Sequence, residues 1–514
     1  MESPTRPAAP SNDYSSITRA TKLFALCAAV NSLNLGYDIG VNTGIAPLLE
    51  ESMDLSETQV EIFIGSINLF AMVGSLASGY ISDAYGRRGT FKVAAVGFVV
   101  GVLTMATAQS FAVLMLGRVL VGIGVGFGLA IDPLYISELS PPEHRGRLVT
   151  WSEFSINVGI LLGFSSGLAF YGLEPDAAWR LMVGLGALLP IVMIVLVVCV
   201  MPESPRWLVS KGRNEEAVSV LQRLYGPDYN VTELAEAIHE SLQKEQEAER
   251  TMGWGILLYP TPAFKRILLV GVGVAASQQL VGIDSIQYFL SYILEQSGVT
   301  DRKMQGLVLI MFGLLKVVMV FVAANLLDSK GRRPVFFLSL IVIFLSLIML
   351  AINFVVGGEN HSSSFTIFCL ALYLAAFGVG MGPGAWLIPS EVFPLSIRAK
   401  AMSLATFVNR FVATIMASTV LSLTKVISWA GYFVGLATVA VIILVLMYLY
   451  LPETSGKSLE EMTVYFAQIT GDASVLEVEE AHVAAKTIEL SEEGGRRGGG
   501  EEEDDDSASG GVLS

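Results

Sequence analysis

Charged residues are scarce in this chain. Asp, Glu, Lys and Arg make up 15% of its 514 residues, against about 25% in an ordinary soluble protein, while hydrophobic residues make up 53%. The mean hydropathy is +0.60. Cysteine and histidine are also rare, with three and four copies. The cysteines fall in separate apolar segments and the histidines in separate polar ones, so the sequence indicates neither a disulfide framework nor a metal site.

Long apolar runs, in contrast, recur along the whole length. Each run has about 20 residues, which is enough to cross a bilayer as a helix. The sequence therefore predicts an all-α membrane protein with twelve transmembrane helices. The predicted spans are residues 22–48, 58–82, 91–109, 111–136, 148–171, 179–201, 263–294, 304–327, 334–356, 365–390, 399–424 and 430–451.

Composition divides the chain into five parts. We expect two membrane-embedded halves, residues 21–201 and 263–452, joined by a polar linker, residues 202–262, with helical periodicity. Residues 1–20 and 453–514 form tails. Much of the net charge of −15 lies in the second tail, which is rich in acidic residues and glycine and is expected to be partly disordered.

Basic residues cluster in the loops on one side of the predicted bundle. They follow the second, fourth, eighth and tenth spans, on the same side as both termini. The opposite loops are poor in Lys and Arg, apart from Arg302 and Lys303. Since cytoplasmic loops carry the excess of basic residues, we expect both termini and the linker to be cytoplasmic.

The two predicted halves repeat each other. Three motifs recur in the same order, about 250 residues apart, which predicts two halves of common design that rock about a site between them. The pairs are Asp83-x-x-Gly86-Arg87-Arg88 with Asp328-x-x-Gly331-Arg332-Arg333, Ser137-Glu138-x-x-Pro141-x-x-x-Arg145 with Ser390-Glu391-x-x-Pro394-x-x-x-Arg398, and Pro202-Glu203-Ser204 with Pro452-Glu453-Thr454.

The seventh predicted span carries polar groups that hydrocarbon does not tolerate. They are Gln278, Gln279, Asp284, Gln287 and Tyr288. Such groups must face protein or a water-filled cavity. Asp284 and Tyr288 are four residues apart and so share one helix face, and Gly282 marks a point where the helix can bend. We expect this stretch to line a central polar cavity between the halves.

The motifs, taken in order, resemble the sugar porter family of the major facilitator superfamily over about residues 20–460. They are Gly86-Arg87-Arg88, Gly117-Arg118, Pro202-Glu203-Ser204-Pro205-Arg206, Gln278-Gln279-Leu280 and Pro452-Glu453-Thr454. Finer features resemble the plant-type polyol and monosaccharide proton symporters, namely Leu35-Gly36-Tyr37-Asp38-Ile39-Gly40-Val41, Glu153, Gly282-Ile283-Asp284 and Lys316. The resemblance implies the major facilitator fold, with two pseudo-symmetric six-helix halves and a cytoplasmic helical linker.

Asp38 lies within the first predicted span, where a carboxylate is costly unless it is paired or protonated. Arg118, in the fourth span, is its natural partner in the same half. Burial favours the neutral carboxyl and an arginine favours the carboxylate, so a site balanced between them can bind and release a proton in each cycle. The resemblance implies this role of proton coupling, because proton-coupled members carry an acid here. A static ion pair that joins two helices is the alternative.

Glu153, Asp284 and Lys316 form a second set of charges within predicted spans. Most of the family is expected to carry amides at these positions. Two acids and one base suggest a compensated network around the cavity. The resemblance places these residues where the family contacts sugar hydroxyls, from which carboxylates accept well. The alternative is that Lys316 only neutralises Asp284 and so holds two spans together. Tyr288 is expected to be a gate or a hydroxyl contact, with core packing as its alternative.

Three amides, Gln278, Gln279 and Asn409, can each donate and accept hydrogen bonds, as a hydroxyl-rich ligand requires. Trp386 follows residues 382–385, a Gly-Pro-Gly-Ala stretch that we expect not to remain a regular helix. Its indole can stack on the apolar face of a sugar or polyol. The resemblance places all four residues in the substrate site, although helix packing is the alternative for Trp386.

Charged motif residues gather at the cytoplasmic ends of the predicted spans. Their ordinary role is to set topology, but the repeated pairing of bases with acids suggests a latch that closes the inner side in the outward-open state and breaks when it opens. The latch residues are Arg87, Arg88, Glu138, Arg145, Glu203, Arg332, Arg333, Glu391, Arg398 and Glu453.

These features together predict a proton-coupled symporter of polyols or monosaccharides that works by alternating access. Its partners would be the small-molecule substrate, protons and the lipid bilayer. A facilitative uniporter is the first alternative, and a nontransporting sugar sensor is the second. The sequence holds no nucleophile–base set or metal cluster, so we expect no enzyme activity, no cofactor and no nucleic-acid partner. The branch resemblance favours the plasma membrane, with the vacuolar membrane as the alternative.

Overall fold

The computed structural model describes residues 18–140, 145–226, 230–251, 257, 259–356, 362–394 and 397–476. Within these ranges the chain is almost entirely helical and contains no strand. We call the face of the bundle that carries the linker helices the inner face. The opposite face, which carries the loop at residues 54–56, is the outer face.

Six spans form the N-terminal half. The helices are α1 (Arg19–Met53), α2 (Glu57–Ala106), α3 (Phe111–Leu139), α4 (Arg145–Ala169), α5 (Pro175–Leu185) and α6 (Leu188–Cys199). The long helix α2 holds two spans, because it turns back at Gly86, whose φ of 82° favours glycine. Ala71 and Ala94, on either side of that turn, both pack against the same part of α3. The helices α5 and α6 together form the sixth span.

Three linker helices follow on the inner face, namely α7 (Pro205–Ser210), α8 (Asn214–Tyr225) and α9 (Val231–Thr251). Ser204 caps α7, because its hydroxyl accepts from the backbone N–H of Trp207 at 3.3 Å. The indole N–H of Trp207 then donates to the carbonyl of Asp83 at 3.0 Å. These contacts fix the linker against the inner end of the N-terminal half.

The C-terminal half contains α10 (Pro262–Leu280), α11 (Ile283–Tyr288), α12 (Leu290–Gln296), α13 (Arg302–Lys330), α14 (Arg332–Val356), α15 (Ser363–Ala376), α16 (Gly382–Val392), α17 (Arg398–Ala417) and α18 (Val420–Tyr450). The seventh span is α10 to α12. The tenth consists of α15, a π-helical turn (Phe377–Met381) and α16. The chain changes direction at Ser428, so the first turns of α18 complete the eleventh span. A last helix, α19 (Leu459–Thr470), packs against α10 and α16.

The predicted number of spans agrees with the structure. Nine helical segments of the described chain are long and apolar enough to cross a membrane by composition alone. Dividing α2 at Gly86 adds a tenth span. The remaining two are α4, with 25 residues, and α17, with 20 residues, which are more polar. The protein is thus an integral, multi-pass membrane protein.

Glycines let the spans approach closely. A Cβ at Gly36 on α1 would lie 1.9 Å from the carbonyl oxygen of Ile156 on α4, and one at Gly159 would lie 2.1 Å from that of Leu33. Small residues permit such packing where lipid removes the hydrophobic drive for association. The halves themselves meet along α4 with α13 and α2 with α17. Polar side chains of the other spans face the region between the two halves.

Candidate functional site

The seventh span is broken at mid-length, as Gly282 led us to expect. α10 ends at Leu280, and Gly282 has a φ of 90°, a left-handed conformation that favours glycine. A Cβ there would lie 2.8 Å from the side chain of Leu436. The hydroxyl of Tyr373 donates to the carbonyl of Val281 at 3.0 Å and so satisfies one backbone group at the break.

Three predicted amides lie together beside this break. Asn409 Nδ2 donates to Gln278 Oε1 at 2.9 Å, and Gln278 Nε2 donates to the carbonyl of Gly382 at 3.0 Å. The seventh, tenth and eleventh spans are thereby joined. Gln279 is 2% exposed, and its Oε1 has no hydrogen-bond partner among the described residues. A buried acceptor of this kind is ordinarily satisfied by water or by a ligand.

Trp386 lies on α16, one turn beyond Gly382, and its side chain is half-buried. The expectation that residues 382–385 interrupt the helix is wrong. The irregular turn is the π-helical segment Phe377–Met381, and α16 begins regularly after it. The proline fits the first turn of α16, where its missing N–H would have no partner. Residues four apart share a face, so Trp386 lies on the side of α16 that Gln278 contacts.

The second set of charges is spread around the region between the halves. Lys316 is buried and donates to Gln287 Oε1, while Asp284 accepts from Asn68 Nδ2 at 3.2 Å. No ion pair within 4.0 Å joins Lys316 to Asp284 or to Glu153. The direct neutralisation of Asp284 by Lys316 is therefore not formed in this structure. Glu153 is exposed on α4.

Tyr288 lies at the end of α11 and is 3% exposed. It lies one helical turn after Asp284, on the same face of α11. Thr43 on α1 also donates to the carbonyl of Gln287 at 3.0 Å. The end of α11 thus connects the polar break of the seventh span with the first span.

Asp38 and Arg118 form a pair inside the N-terminal half. Arg118 is fully buried, and its Nη1 lies 3.4 Å from Asp38 Oδ1. Asn42 Nδ2 donates to Asp38 Oδ2 at 2.9 Å. Arg118 Nε donates to the carbonyl of Phe63 on α2 at 3.0 Å, so the guanidinium is shared between the acid and a neighbouring span. The predicted pairing is present, and neither residue is hydrogen-bonded to the amides of the seventh span.

The inner face of the N-terminal half carries the first charged cluster. Arg87 donates to Glu138 through Nε at 2.8 Å and through Nη2 at 2.7 Å. Its backbone N–H donates to Glu203 at 2.8 Å, and Arg88 donates to the carbonyl of Val197 at 2.9 Å. Burial raises the pKa of Glu203, and the backbone amides around it act in the opposite direction. The Arg145 side chain lies outside the described part of the chain.

The C-terminal half carries a matching cluster. Arg332 Nε donates to Glu391 at 3.1 Å, and the backbone N–H of Arg332 donates to Glu453 at 3.0 Å. The backbone N–H of Arg333 donates to Glu453 at 3.1 Å. Arg398 Nε donates to a nearby carbonyl, that of Phe393, at 3.3 Å. These bonds lie within one half, as do those of Arg87, so a latch between the halves stays a prediction.

A glycine makes room for the acid in each cluster. A Cβ at Gly86 would lie 2.3 Å from Glu203 Oε2, and one at Gly331 would lie 2.9 Å from Glu453 Oε2. Both glycines also have a positive φ, 82° and 91°. The repeated Gly-Arg-Arg motif therefore has one physical basis in both halves, namely a turn that offers backbone N–H groups to a carboxylate.

Residues 24–466 match the family described as "Sugar (and other) transporter". The chain belongs to this sugar transporter family. Among its relatives, Probable polyol transporter 4 of Arabidopsis thaliana is 38% identical over 87% of this chain and 86% of its own length. Polyol transporter 5 of the same plant is 34% identical over 86% and 85%. The galactose-proton symporter of Escherichia coli (strain K12) is 31% identical over 85% and 93%.

Solved structures agree with this family assignment. The inward open conformation of the xylose transporter XylE from E. coli matches with a TM-score of 0.74 and 24% identity, over 87% of this chain and 99% of that one. A structure of the major facilitator superfamily proton:xylose symporter XylE bound to 6-bromo-6-deoxy-D-glucose matches with a TM-score of 0.71 and 25% identity, over 87% and 99%. The predicted major facilitator fold is therefore confirmed.

Two polar residues of this sugar transporter were missed by sequence reasoning. Arg410 donates to Asn409 Oδ1 at 2.8 Å and to Asn68 Oδ1 at 3.1 Å. Asn68, on α2, also donates to Asp284, so it joins two residues of the C-terminal half. A cation within the eleventh predicted span, next to Asn409, was the available signal for Arg410. Asn68 gave no signal, because a single amide in an apolar span is common.

Proposed function

We propose that this sugar transporter is a proton-coupled symporter of polyols or monosaccharides that works by alternating access. The observation that carries the proposal is the buried Asp38–Arg118 pair, which shares no hydrogen bond with the amides between the halves. Two separate polar sites suit two cargoes, a proton and a hydroxyl-rich molecule. The names of the relatives, polyol transporters and a galactose-proton symporter, support both cargoes.

The substrate would bind between the halves, beside the break in the seventh span. Gln278, Gln279 and Asn409 offer donors and acceptors in the pattern that adjacent hydroxyls need. The Oε1 of Gln279 has no partner among the described residues and is free to accept from one. Glu153 would accept strongly from a second hydroxyl. Trp386 would cover the apolar face of the ring or chain.

Asp284, Lys316 and Tyr288 would complete the wall of the same site. In the present structure Asp284 and Lys316 contact the amides of Asn68 and Gln287. An entering polyol can replace such contacts with its own hydroxyls, so these charges need not remain unsatisfied in either state. Substrate binding would in this way replace the hydrogen bond between Asp284 and Asn68, which belongs to the N-terminal half.

Proton binding would act through Arg118. A proton on Asp38 removes the negative charge that holds the guanidinium, while Arg118 Nε remains bonded to the carbonyl of Phe63 on α2. The same helix carries Asn68, which contacts the C-terminal half. Loading of Asp38 would therefore be passed through α2 to the contact between the halves, which is the coupling that symport requires.

The inner face would be cytoplasmic, because the basic loops and the linker helices belong to that side. Residues 1–20 and 453–514 would then be cytoplasmic tails of the two halves. We place the protein in the plasma membrane. There, one proton per cycle would add about 2.3 kcal/mol of driving force per 100 mV. We assign transport to the chain and no enzyme activity.

Substitution of Asp38→Asn tests the proposal. The protein would be reconstituted in proteoliposomes with an imposed pH gradient and a panel of labelled polyols and sugars at several pH values. We expect Asp38→Asn to abolish uphill uptake while exchange of labelled for unlabelled substrate continues, because an amide cannot carry the proton. Asp176→Asn, at an exposed site on α5 that pairs with Arg180, is the matched control and should retain uphill uptake.

A facilitative uniporter would behave differently. Wild-type uptake would stop when the internal and external concentrations are equal, whatever the pH gradient. Asp38→Asn would then lower uptake and exchange in parallel or change neither. Either result would replace symport with facilitated diffusion as the function of this chain.

A further inference from the structure

A second buried carboxyl lies in the N-terminal half and takes no part in the mechanism above. Asp132 on α3 is 3% exposed. Its Oδ1 accepts from Asn31 Nδ2 at 2.9 Å, and its Oδ2 accepts from Ser32 Oγ at 2.6 Å. Both donors are neutral side chains of α1. The carboxyl therefore joins two spans without the help of a cation.

The missing cation distinguishes this acid from its neighbours. Asp38 is paired with Arg118 and Glu138 with Arg87, whereas no ion pair of Asp132 is found within the described ranges. A carboxylate inside a membrane span is costly without a cation, and a neutral carboxyl is not. A proton on Oδ2 would fit the present geometry, because the carboxyl would then donate to Ser32 across the same 2.6 Å.

A row of polar side chains on α1 connects Asp132 with Asp38. Asn31, Asn34 and Asp38 are three and four residues apart and share one helix face. The first and last of them are about 10 Å apart along the helix axis. Asn34 is 2% exposed, and its Oδ1 has no partner among the described residues. A buried oxygen of this kind is ordinarily satisfied by an internal water.

The facing helix is shaped to hold this row. A Cβ at Gly128 on α3 would lie 2.3 Å from Asn31 Nδ2, so the glycine makes the space that Asn31 occupies. Gly128 lies one turn before Asp132 and shares its helix face. The carboxyl and the space for its donor are thus provided by the same face of α3.

The other titratable groups on the surrounding helices are engaged elsewhere or lie farther along the chain. Tyr135, also on α3, donates to the carbonyl of Pro202 at 2.8 Å. Glu138 is bonded to Arg87, and Glu153 on α4 is exposed between the halves. Cys27 is buried on α1, one turn before Asn31. None of these groups supplies a positive charge to the carboxyl.

We propose that Asp132 is a second proton-binding site, which receives the proton from Asp38 and passes it to the inner face. In this step the Asp38 carboxyl loses its proton and becomes the carboxylate that pairs with Arg118. A water bound at Asn34 carries the proton, and the Asp132 carboxylate gains it. Asp132 then returns it to water at the inner face. The inference rests on the proposed proton symport and adds a route that bypasses the substrate.

The variant Asp132→Asn tests this route in the reconstituted full-length protein. Asparagine can keep a contact with α1 but cannot take up a proton. We expect the ratio of uphill uptake to exchange to fall by at least about tenfold, because a positioned proton acceptor has been lost. The dependence of uphill uptake on internal pH should flatten. Ser32→Ala keeps the acid, removes one donor and should shift the pH of half-maximal uphill uptake.

A purely structural role for Asp132 predicts another pattern. Uphill uptake and exchange would then fall in parallel, or neither would change, and either result would overturn the proposal. If Asp132→Asn does not fold, the proposal is overturned by Ser32→Ala instead, should its uphill uptake have the same pH dependence as that of the wild type. Uptake that requires Na⁺ would overturn the assignment of a proton.

Failure of symport itself would be recognised separately. Wild-type protein that shows no uphill uptake in a proton gradient would refute the proposed function but not proton binding at Asp132. Infrared difference spectra of wild type and Asp132→Asn across a pH titration decide that second question. A carboxyl band that titrates in the wild type and is missing from Asp132→Asn would assign proton binding to Asp132, whereas identical carboxyl bands in the two proteins would mean that Asp132 does not bind the proton.

Discussion

The outer and inner faces of the bundle are held together in different ways. At the outer face, bonds cross between the halves. Ser422 on α18 donates through its backbone N–H to Glu61 on α2 at 2.8 Å, and Tyr292 donates to Glu50 at 2.6 Å. At the inner face, the strongest charged cluster stays within one half, as in the bidentate contact of Arg87 with Glu138. The outer face is therefore closed, whereas the bonds of Arg87 and Glu138 do not cross between the halves.

In this structure, buried bonds between the halves hold the outer face closed. The outer contacts bury groups such as Glu61, which is 1% exposed, and they can form only when the halves approach there. Glu153, in contrast, is exposed between the halves. Opening the outer face would have to break several buried bonds. The summed free energy of these bonds therefore contributes to the equilibrium between the closed and the open outer face.

The largest expected effect comes from Gly65, at the closest approach of the outer face. A Cβ there would lie 1.8 Å from Ser418 Oγ and 2.9 Å from its Cβ. We expect Gly65→Val to cost the closed outer face about 3 kcal/mol, which lowers its population by about a hundredfold. Net uptake in proteoliposomes should fall accordingly, and hydrogen exchange over residues 57–68 should rise.

Gly435 on α18 provides the matched control, because a Cβ at that position has nothing within 4 Å. Gly435→Val should therefore leave both uptake and hydrogen exchange near the wild-type level. Normal uptake by Gly65→Val would contradict the closed arrangement of the outer face. It would also remove the main difference between the two faces.

The architecture was predictable because its signals are local and repeated. Most of the spans follow from apolar length, and the clusters at Gly86 and Gly331 follow from one motif that occurs twice. The π-helical turn before α16 was not predictable. The turn packs Gly380 against Ser339, whose hydroxyl accepts from the N–H of Met381 at 3.1 Å. A turn fixed by a contact between spans leaves no periodic trace in the sequence.

The candidate site was predictable only in part, for a related reason. Gln278 and Asn409 are costly in an apolar span and so attract notice, and the structure places them 2.9 Å apart. Asn68 is equally polar, but one amide in the middle of an apolar span attracts little notice. Its importance comes from bonds to Asp284 and Arg410 on the other half. Contacts between the halves depend on how the halves dock, which the sequence of each half does not specify.

Breaking a cluster at the inner face should have a different consequence. Arg87→Met would leave Glu138, whose side chain is 3% exposed, without its cation. We expect a loss of about 3 kcal/mol in stability, because a buried charge loses its partner, and hence a lower unfolding temperature. On the proposal that this cluster also latches the inner side in the outward-open state, the balance should move further toward the inward-facing form.

Hydrogen exchange over residues 57–68 distinguishes Arg87→Met from Gly65→Val. In Arg87→Met the backbone amides of these residues should remain as protected as in the wild type, or become more protected. Loss of protection at the outer face of Arg87→Met would contradict the division between the two faces. Arg213→Met is the matched control, since Arg213 and Glu216 form an exposed pair at 2.6 Å. Such a pair contributes less than about 1 kcal/mol.

The smallest expected effects come from single bonds across the outer face, and they test whether burial sets their strength. Glu61 accepts from both the N–H and the hydroxyl of Ser422, so Glu61→Gln should weaken closure by about 1 to 2 kcal/mol, roughly a tenfold change in the balance. Lys425→Met removes the pair with Glu57, in which the two side chains are 65% and 33% exposed. Its effect should be below about 1 kcal/mol and should vanish in high salt. Hydrogen exchange over residues 57–68 measures both variants, and equal effects would mean that the buried carboxylate is not what holds the outer face closed.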